Sequence, residues 1–307
     1  MTEIEQLLLQ LLDIPSPTGQ EKQLADFIIS KLSNLPLEKQ DVGDGRYNII
    51  VRKGTSKKWL VAHMDTVPGV VPVRMTDDAL YGRGACDNKQ SVAATILLAQ
   101  KLTDINVLFT VGEEVDFKGS RVAQSHAVAG DAELVIVQEP TRFEVITGQC
   151  GVIAFSVETK GIEQHSSLPH PQNAINKLIH ILSTLEKYNW HAYNVGTIQG
   201  GTAENVVPGS ARALVSVRPR NESERSDILQ HLKTLQTEIS INKDIVPYRG
   251  SSKFAENIAP HFSEMAFFPN SIQYGAGDIR NAHTVEEHIT RKELNELPDR
   301  LSALLAD

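Results

Sequence analysis

Apolar residues recur at helical spacing over residues 2–13 and again over 20–34, with the breaker PSPTG at 15–19 between them. Short apolar runs follow: NIIV at 48–51, WLVA at 59–62, INVLFTV at 105–111 and ELVIVQ at 133–138. Their length suits strands, and their lack of alternation predicts a sheet covered on both faces, as in mostly parallel α/β folds. SVAATILLAQKL at 91–102 reads as a helix packed on that sheet. After Gly151 the pattern changes. VIAFSVET at 152–159 alternates like a half-exposed strand, and a helix is expected over 172–187. Strands follow at 194–199 and 210–218, then a helix at 222–238 and a last strand at 239–246. That β-α-β-β-α-β order predicts a small α+β, ferredoxin-like unit inserted within the larger domain. A glycine turn, YGAGD at 274–278, and a final helix at 291–305 complete the pattern. The expected domains are therefore 1–151 joined with 249–307, and an inserted lid at 152–248.

Composition narrows the function classes. The chain has 307 residues, 41% hydrophobic and 22% charged, which is globular rather than disordered usage and long enough for two domains. No apolar run approaches the roughly 18 residues that a membrane span requires. MTEIEQLLLQ carries acids where a secretory signal carries Lys or Arg, and two cysteines cannot make a disulfide framework, so a cytoplasmic setting is expected. A net charge of −8 argues against a nucleic-acid surface.

The candidate chemistry sits just past the apolar runs. His63 and Asp65 follow WLVA, Glu113 and Glu114 follow INVLFTV, and Glu139 follows ELVIVQ. In open α/β sheets, ligand sites form beyond the carboxyl ends of the strands, so these groups are placed to converge. Asp87, in GRGACDNK at 82–89, and the late His283, in NAHT, join them. Each has a plain alternative. Asp87 could cap the helix behind it, Glu113 and Glu114 could be a solvated pair, and His63 could be a core histidine. Recurrence at successive strand ends favours the joint reading. So many carboxylates without counter-charge would be costly, and a pair of divalent cations resolves the conflict. Imidazole with carboxylate suits zinc, with cobalt or manganese as substitutes.

HMDTVP, GRGACDNK, GEE, QEPT, HSSLPH, GGTAENVVP and AHT, in that order, resemble the signature of the M20 family of metallohydrolases, over residues 14–290. The resemblance implies two zinc ions: His63 and Glu139 on one, Glu114 and His283 on the other, and Asp87 bridging. It further implies that Asp65 hydrogen-bonds His63, that Glu113 is the general base, and that His165 of GIEQHSS donates to the oxyanion, across a dimer in some members. Asn205 and Arg218 align with lid positions that bind substrate. The Gly275–Gly277 turn is a second candidate seat for a carboxylate. Departures are Gln90, where a small residue is frequent, and Cys150, where a basic one is. Cys86, beside Asp87, is not expected to act as nucleophile.

The expected function is removal of an acyl group from an N-acyl amino acid, of the acetylornithine or acyl-lysine deacetylase kind. The alternative is a dipeptidase or carboxypeptidase of the same family. A silent scaffold and a two-metal phosphoesterase are the readings from other classes. A homodimer through the inserted unit is expected, with a small N-acyl amino acid or short peptide as substrate.

Overall fold

The four apolar runs become strands of one sheet. In a computed structural model, which describes residues 1–169 and 172–306, six strands lie in a fixed order. They are Leu37–Gly43, Arg46–Lys53, Ile105–Thr110, Lys58–His63, Leu134–Val137 and Ser271–Gln273. The first two pairings are antiparallel, and the last three are parallel. Every residue of Ile105–Thr110 is buried, although its side chains point alternately to the two faces. Cover on both sides explains why the centre of that run, Val107–Phe109, is apolar on both faces, each fully buried Val, Leu or Phe contributing about 1.5–3 kcal/mol.

Helix Lys89–Lys101 is almost wholly buried and packs on the central strands. Helices Glu3–Leu12 and Arg291–Ala306 pack against it. These outer helices are tied at Glu5, a fully buried carboxylate. Its Oε1 accepts from Arg291 Nε at 2.8 Å and Asn295 Nδ2 at 2.9 Å, and its Oε2 from the Thr2 amide at 2.9 Å.

The chain divides into two compact units. The first is Met1–Thr147, Gly250–Asn257 and Ser263–Asp307. The second is Gly148–Arg249 with Ile258–Phe262. The expected bounds, 1–151 with 249–307 and 152–248, thus shift: residues 148–151, 249 and 258–262 fall in the second unit. Ile258–Ala259 pairs parallel with Gly148–Gln149, which draws that short stretch to the second unit.

In the second unit, an antiparallel sheet runs in the order Asn194–Gly200, Ser210–Val217, Val152–Lys160, Glu238–Ile245. Two helices, Ala174–Glu186 and Glu222–Thr234, connect its strands in the β-α-β-β-α-β sequence, a ferredoxin-like topology. The second helix stops short of the expected 238. Each helix starts at an asparagine whose side chain accepts a main-chain amide, Asn173 from Asn176 and Asn221 from Glu224. A core of Phe155, Val157, Leu178, Ala213, Val215 and Leu232 lies between helices and sheet.

Candidate metal centre

Three parallel strands end at one edge of the sheet, and each delivers acid or imidazole there. His63 is the last residue of Lys58–His63, Glu113 and Glu114 follow Ile105–Thr110, and Glu139 follows Leu134–Val137. The neighbouring Ser271–Gln273 delivers the turn Tyr274–Gly277 to the same edge. A Cβ on Gly275 would lie 2.6 Å from the Glu139 carbonyl oxygen, so only glycine lets this turn pass Glu139.

Asp87 stands between the two histidines. Its Oδ1 lies 2.9 Å from His63 Nε2 and its Oδ2 lies 3.4 Å from His283 Nε2. His283 Nε2 also lies 3.0 Å from Glu114 Oε2. Donor atoms of His63, Asp87 and Glu139 lie within 4.8 Å of one another, as do those of Asp87, Glu114 and His283, and those of His63, Glu113 and Glu114. The helix-capping alternative for Asp87 does not hold, since Asn88 occupies the cap position of Lys89–Lys101.

Asp65 is arranged otherwise than expected. The His63 Nδ1–H donates to the Asp65 main-chain carbonyl at 2.9 Å, whereas the Asp65 carboxylate is 3.8 Å from that nitrogen, beyond a hydrogen bond. The carboxylate instead accepts the Glu113 amide at 3.0 Å, the Glu114 amide at 3.2 Å and the Thr18 hydroxyl at 2.7 Å. The strand ends at His63, so the chain turns before Asp65 and aims its side chain at the neighbouring loop. Asp65 thereby sets the imidazole tautomer through its main chain, and places both glutamates through its side chain.

The cluster is electrostatically strained without cations. Enclosure by protein, then the charge of Glu139, holds the Glu113 carboxyl well above the usual range. Glu139 is raised by enclosure and by Asp87, and Glu114 by enclosure. His283 is raised to about 10 by its hydrogen bonds to Asp87 and Glu114. Burial works against protonation of His63, but Asp87 and the glutamates outweigh it and raise its pKa. Asp87 is lowered: burial opposes, and the two imidazoles prevail. One oxygen of Glu139, Oε1, is buried with no protein partner.

Divalent ions fit these residues. Two donors on one tetrahedral ion with bonds of about 2.0–2.1 Å sit roughly 3.3 Å apart, close to the 2.9, 3.0 and 3.4 Å contacts seen here. The donor set of two imidazoles and three carboxylates, with the unpartnered Glu139 oxygen, offers coordination to a pair of ions.

In the second unit, His165 and Asn205 come together. His165 pairs with Val206, and the Ser166 amide donates to the Asn205 carbonyl at 3.0 Å. His165 is exposed, its Nδ1 2.8 Å from Ser167 Oγ. Arg218 does not join them. His165 and Asn205 flank the sheet end where Ser210 pairs with Lys160, while Arg218 follows the end where Val217 pairs with Ile153. Seven residue steps separate those ends, roughly 23 Å at the strand rise. The Gly275 amide donates to Thr141 Oγ1 at 3.1 Å, so that half of the proposed carboxylate seat already has a partner.

Two carboxylates escaped the sequence reading. Glu264 is fully buried, hydrogen-bonded to Ser120 and raised in pKa by burial. Glu287 is fully buried under the Asp87 turn. Their partners, a hydroxyl for Glu264 and three main-chain amides with the Arg83 guanidinium for Glu287, lie far away in sequence, and no local motif announces them.

Fold and site together define a class: an α/β protein with a mostly parallel sheet, candidate metal ligands at its strand ends and an inserted ferredoxin-like unit. A family model described as M20_dimer, the peptidase dimerisation domain, matches residues 147–243. The chain is similar to members of the M20 family. A protein of Schizosaccharomyces pombe described as containing a peptidase M20 domain is 29% identical over 323 residues, covering 93% of this chain and 80% of that one. A probable carboxypeptidase of Aspergillus clavatus is 32% identical over 249 residues, 68% of this chain. The chain spans 60% of the length of that carboxypeptidase. Among solved structures, a tripeptidase from Staphylococcus aureus superposes with a TM-score of 0.84 at 19% identity, covering 99% of this chain and 97% of that one. A dinuclear metal-binding M20 peptidase from Bacillus subtilis gives 0.76 at 16% identity, covering 98% and 96%. At such identities the likeness is one of fold.

Proposed function

We propose that this protein is a two-metal hydrolase of amide bonds. The observation that carries the reading is the Asp87 carboxylate set between His63 and His283, with Glu139 and Glu114 closing the two sides. His63 and Glu139 would hold one ion, Glu114 and His283 the other, with Asp87 shared; zinc suits this donor set. When bound, such a pair polarises a substrate carbonyl and lowers the pKa of water to about 7.

The remaining steps belong to the chain's own residues. Glu113 lies beside the ligand set without being needed in it, which leaves its carboxylate to carry a proton. As water oxygen bonds to the carbonyl carbon, Glu113 takes the proton released and hands it to the amide nitrogen as the C–N bond breaks. Asp65 holds the Glu113 amide and so aims that carboxylate. His165, with Asn205 beside it, would donate to the oxyanion, typically worth about 10²–10³ in turnover. Arg218 suits the substrate carboxylate. His165 and Arg218 belong to opposite ends of that sheet, ends roughly 23 Å apart, a poor fit to joint action on one small substrate from within one unit. That separation supports a homodimer in which one of them comes from a second copy, as does the match to a dimerisation domain.

The substrate reading is an N-acyl amino acid, the acetylornithine or acyl-lysine type. Carboxypeptidase or dipeptidase action is the second reading, favoured by the name of the Aspergillus relative. Both cleave an amide beside a residue bearing a carboxylate. Two buried free cysteines, Cys86 and Cys150, suit the cytoplasm, and among the described residues no helix is long and apolar enough to cross a membrane. Zinc-loaded protein assayed side by side on acetylornithine, acetyl-lysine and a dipeptide panel tests the reading. Turnover of dipeptides alone overturns the deacylase assignment, and no amide cleavage at all overturns the whole.

A further inference from the structure

Glu287 lies four positions beyond His283 and has no place in the ligand set. The strand His288–Thr290 pairs antiparallel with Ala79–Tyr81, His288 opposite Tyr81, and the Gly82 amide extends the ladder by donating to the Glu287 carbonyl at 3.1 Å. That register lays the Glu287 side chain against the turn that carries Asp87. Its Oε1 accepts three main-chain amides: Gly84 at 3.0 Å, Cys86 at 3.1 Å and Asp87 at 3.0 Å. Its Oε2 accepts from Arg83 Nη1 at 2.5 Å. Converging amides of this kind make an anion seat, and here the chain fills it with its own carboxylate, out of contact with water.

We infer that Glu287 is a positioning residue for the metal centre, which by gripping the amide of Asp87 and its neighbours fixes the Asp87 carboxylate between His63 and His283. The inference rests on the two-metal reading above. Asp87 must face two ways at once, and its contacts at 2.9 and 3.4 Å leave little room for the turn to shift. The same short stretch bears His283 at one end and the Glu287 grip at the other. Five residues of backbone therefore set the spacing between a ligand of the second ion and the ligand shared by both. Glutamine in place of Glu287 would keep one acceptor but turn an NH₂ group toward the Arg83 guanidinium.

Glu287→Gln, Glu287→Ala and Arg83→Gln are compared with wild type by Zn²⁺ competition against a chromophoric chelator and by Co²⁺ absorption. Wild type is expected to take two ions per chain. Both Glu287 variants should bind them about 10–100-fold more weakly, the usual effect of losing such a supporting contact, with an altered Co²⁺ spectrum. Arg83→Gln, which keeps the three amide contacts, should bind close to wild type. Glu287 variants that melt earlier but retain wild-type affinity and spectrum would overturn the inference. Should both fold poorly, hydrogen exchange on the metal-free wild type decides: protected Gly84, Cys86 and Asp87 amides support the grip, and free exchange overturns it. A wild type that takes up no pair of ions sinks the two-metal reading along with this inference. A wild-type pair left undisturbed in Glu287→Gln sinks this inference alone.

Discussion

Glu5→Gln probes the brace behind the candidate metal centre. Glu5 ties the Glu3–Leu12 helix to the Arg291–Ala306 helix, and both back the helix that follows Asp87. The Arg291 hydrogen bonds, with those of Asn295 and Thr2, pull its pKa from 4.5 down to about 2. At 1.36 kcal/mol per unit that shift corresponds to roughly 3.4 kcal/mol at pH 7. The brace sits at the rim of its unit, with Arg291 31% exposed, and screening there reduces the expected figure to roughly 1.5–2 kcal/mol. The folded pKa is depressed, so the contribution is fully present above the unfolded value of 4.5 and fades as pH falls toward 2. More than half should be gone by pH 3. Trp59 lies in the first unit and Trp190 in the second, so in a Trp190→Phe background fluorescence follows urea unfolding of the first unit alone. Glu5→Gln should lower its stability at pH 7 and approach the parent at pH 3. A gap that is the same at both pH values, or below roughly 0.5 kcal/mol at pH 7, would refute the reasoning.

Other outcomes follow from the site. Glu113→Gln should keep both ions yet lose about 10²–10⁴ in kcat; a variant retaining wild-type turnover would remove Glu113 as the proton carrier. His165→Ala and Glu113→Gln, each inactive alone, should regain about a quarter of wild-type activity on equal mixing. Half the random dimers are mixed, and each mixed dimer holds one complete site. No recovery after subunit exchange would refute supply of His165 by the second copy. Gly275→Ala should displace Glu139, because the added Cβ meets its carbonyl at 2.6 Å; weaker zinc binding by calorimetry checks it.

Much of the fold was legible because burial on both faces leaves continuous apolar runs, and all four such runs are strands of the sheet. Leu37–Gly43 escaped because it is an edge strand of mostly polar residues, LEKQDVG. Ser271–Gln273 escaped because three residues carry no period and Ser and Gln mask a buried position. Helix Lys118–Ser125, KGSRVAQS, has few apolar positions to mark it. At the site, His63, Glu113, Glu114 and Glu139 were legible as side chains following strands, and Asp87 and His283 through the GRGACDNK and NAHT motifs. The carbonyl of Asp65 on His63 and the amides on Glu287 were not, because main-chain partners leave no residue-type signature.

The insertion orders events during synthesis. Ser271–Gln273 lies beside Leu134–Val137, and 134 positions separate them in the chain. At ribosomal speeds of about 5–20 residues per second, that interval lasts about 7 to 27 s. Throughout it Leu134–Val137 has an open apolar margin, the kind of surface that recruits stray strands and chaperones. The inserted unit's four-stranded sheet is complete by residue 245 and can shut early. His283 emerges later still, so on the two-metal reading the full ligand set cannot assemble until residue 283 has been made.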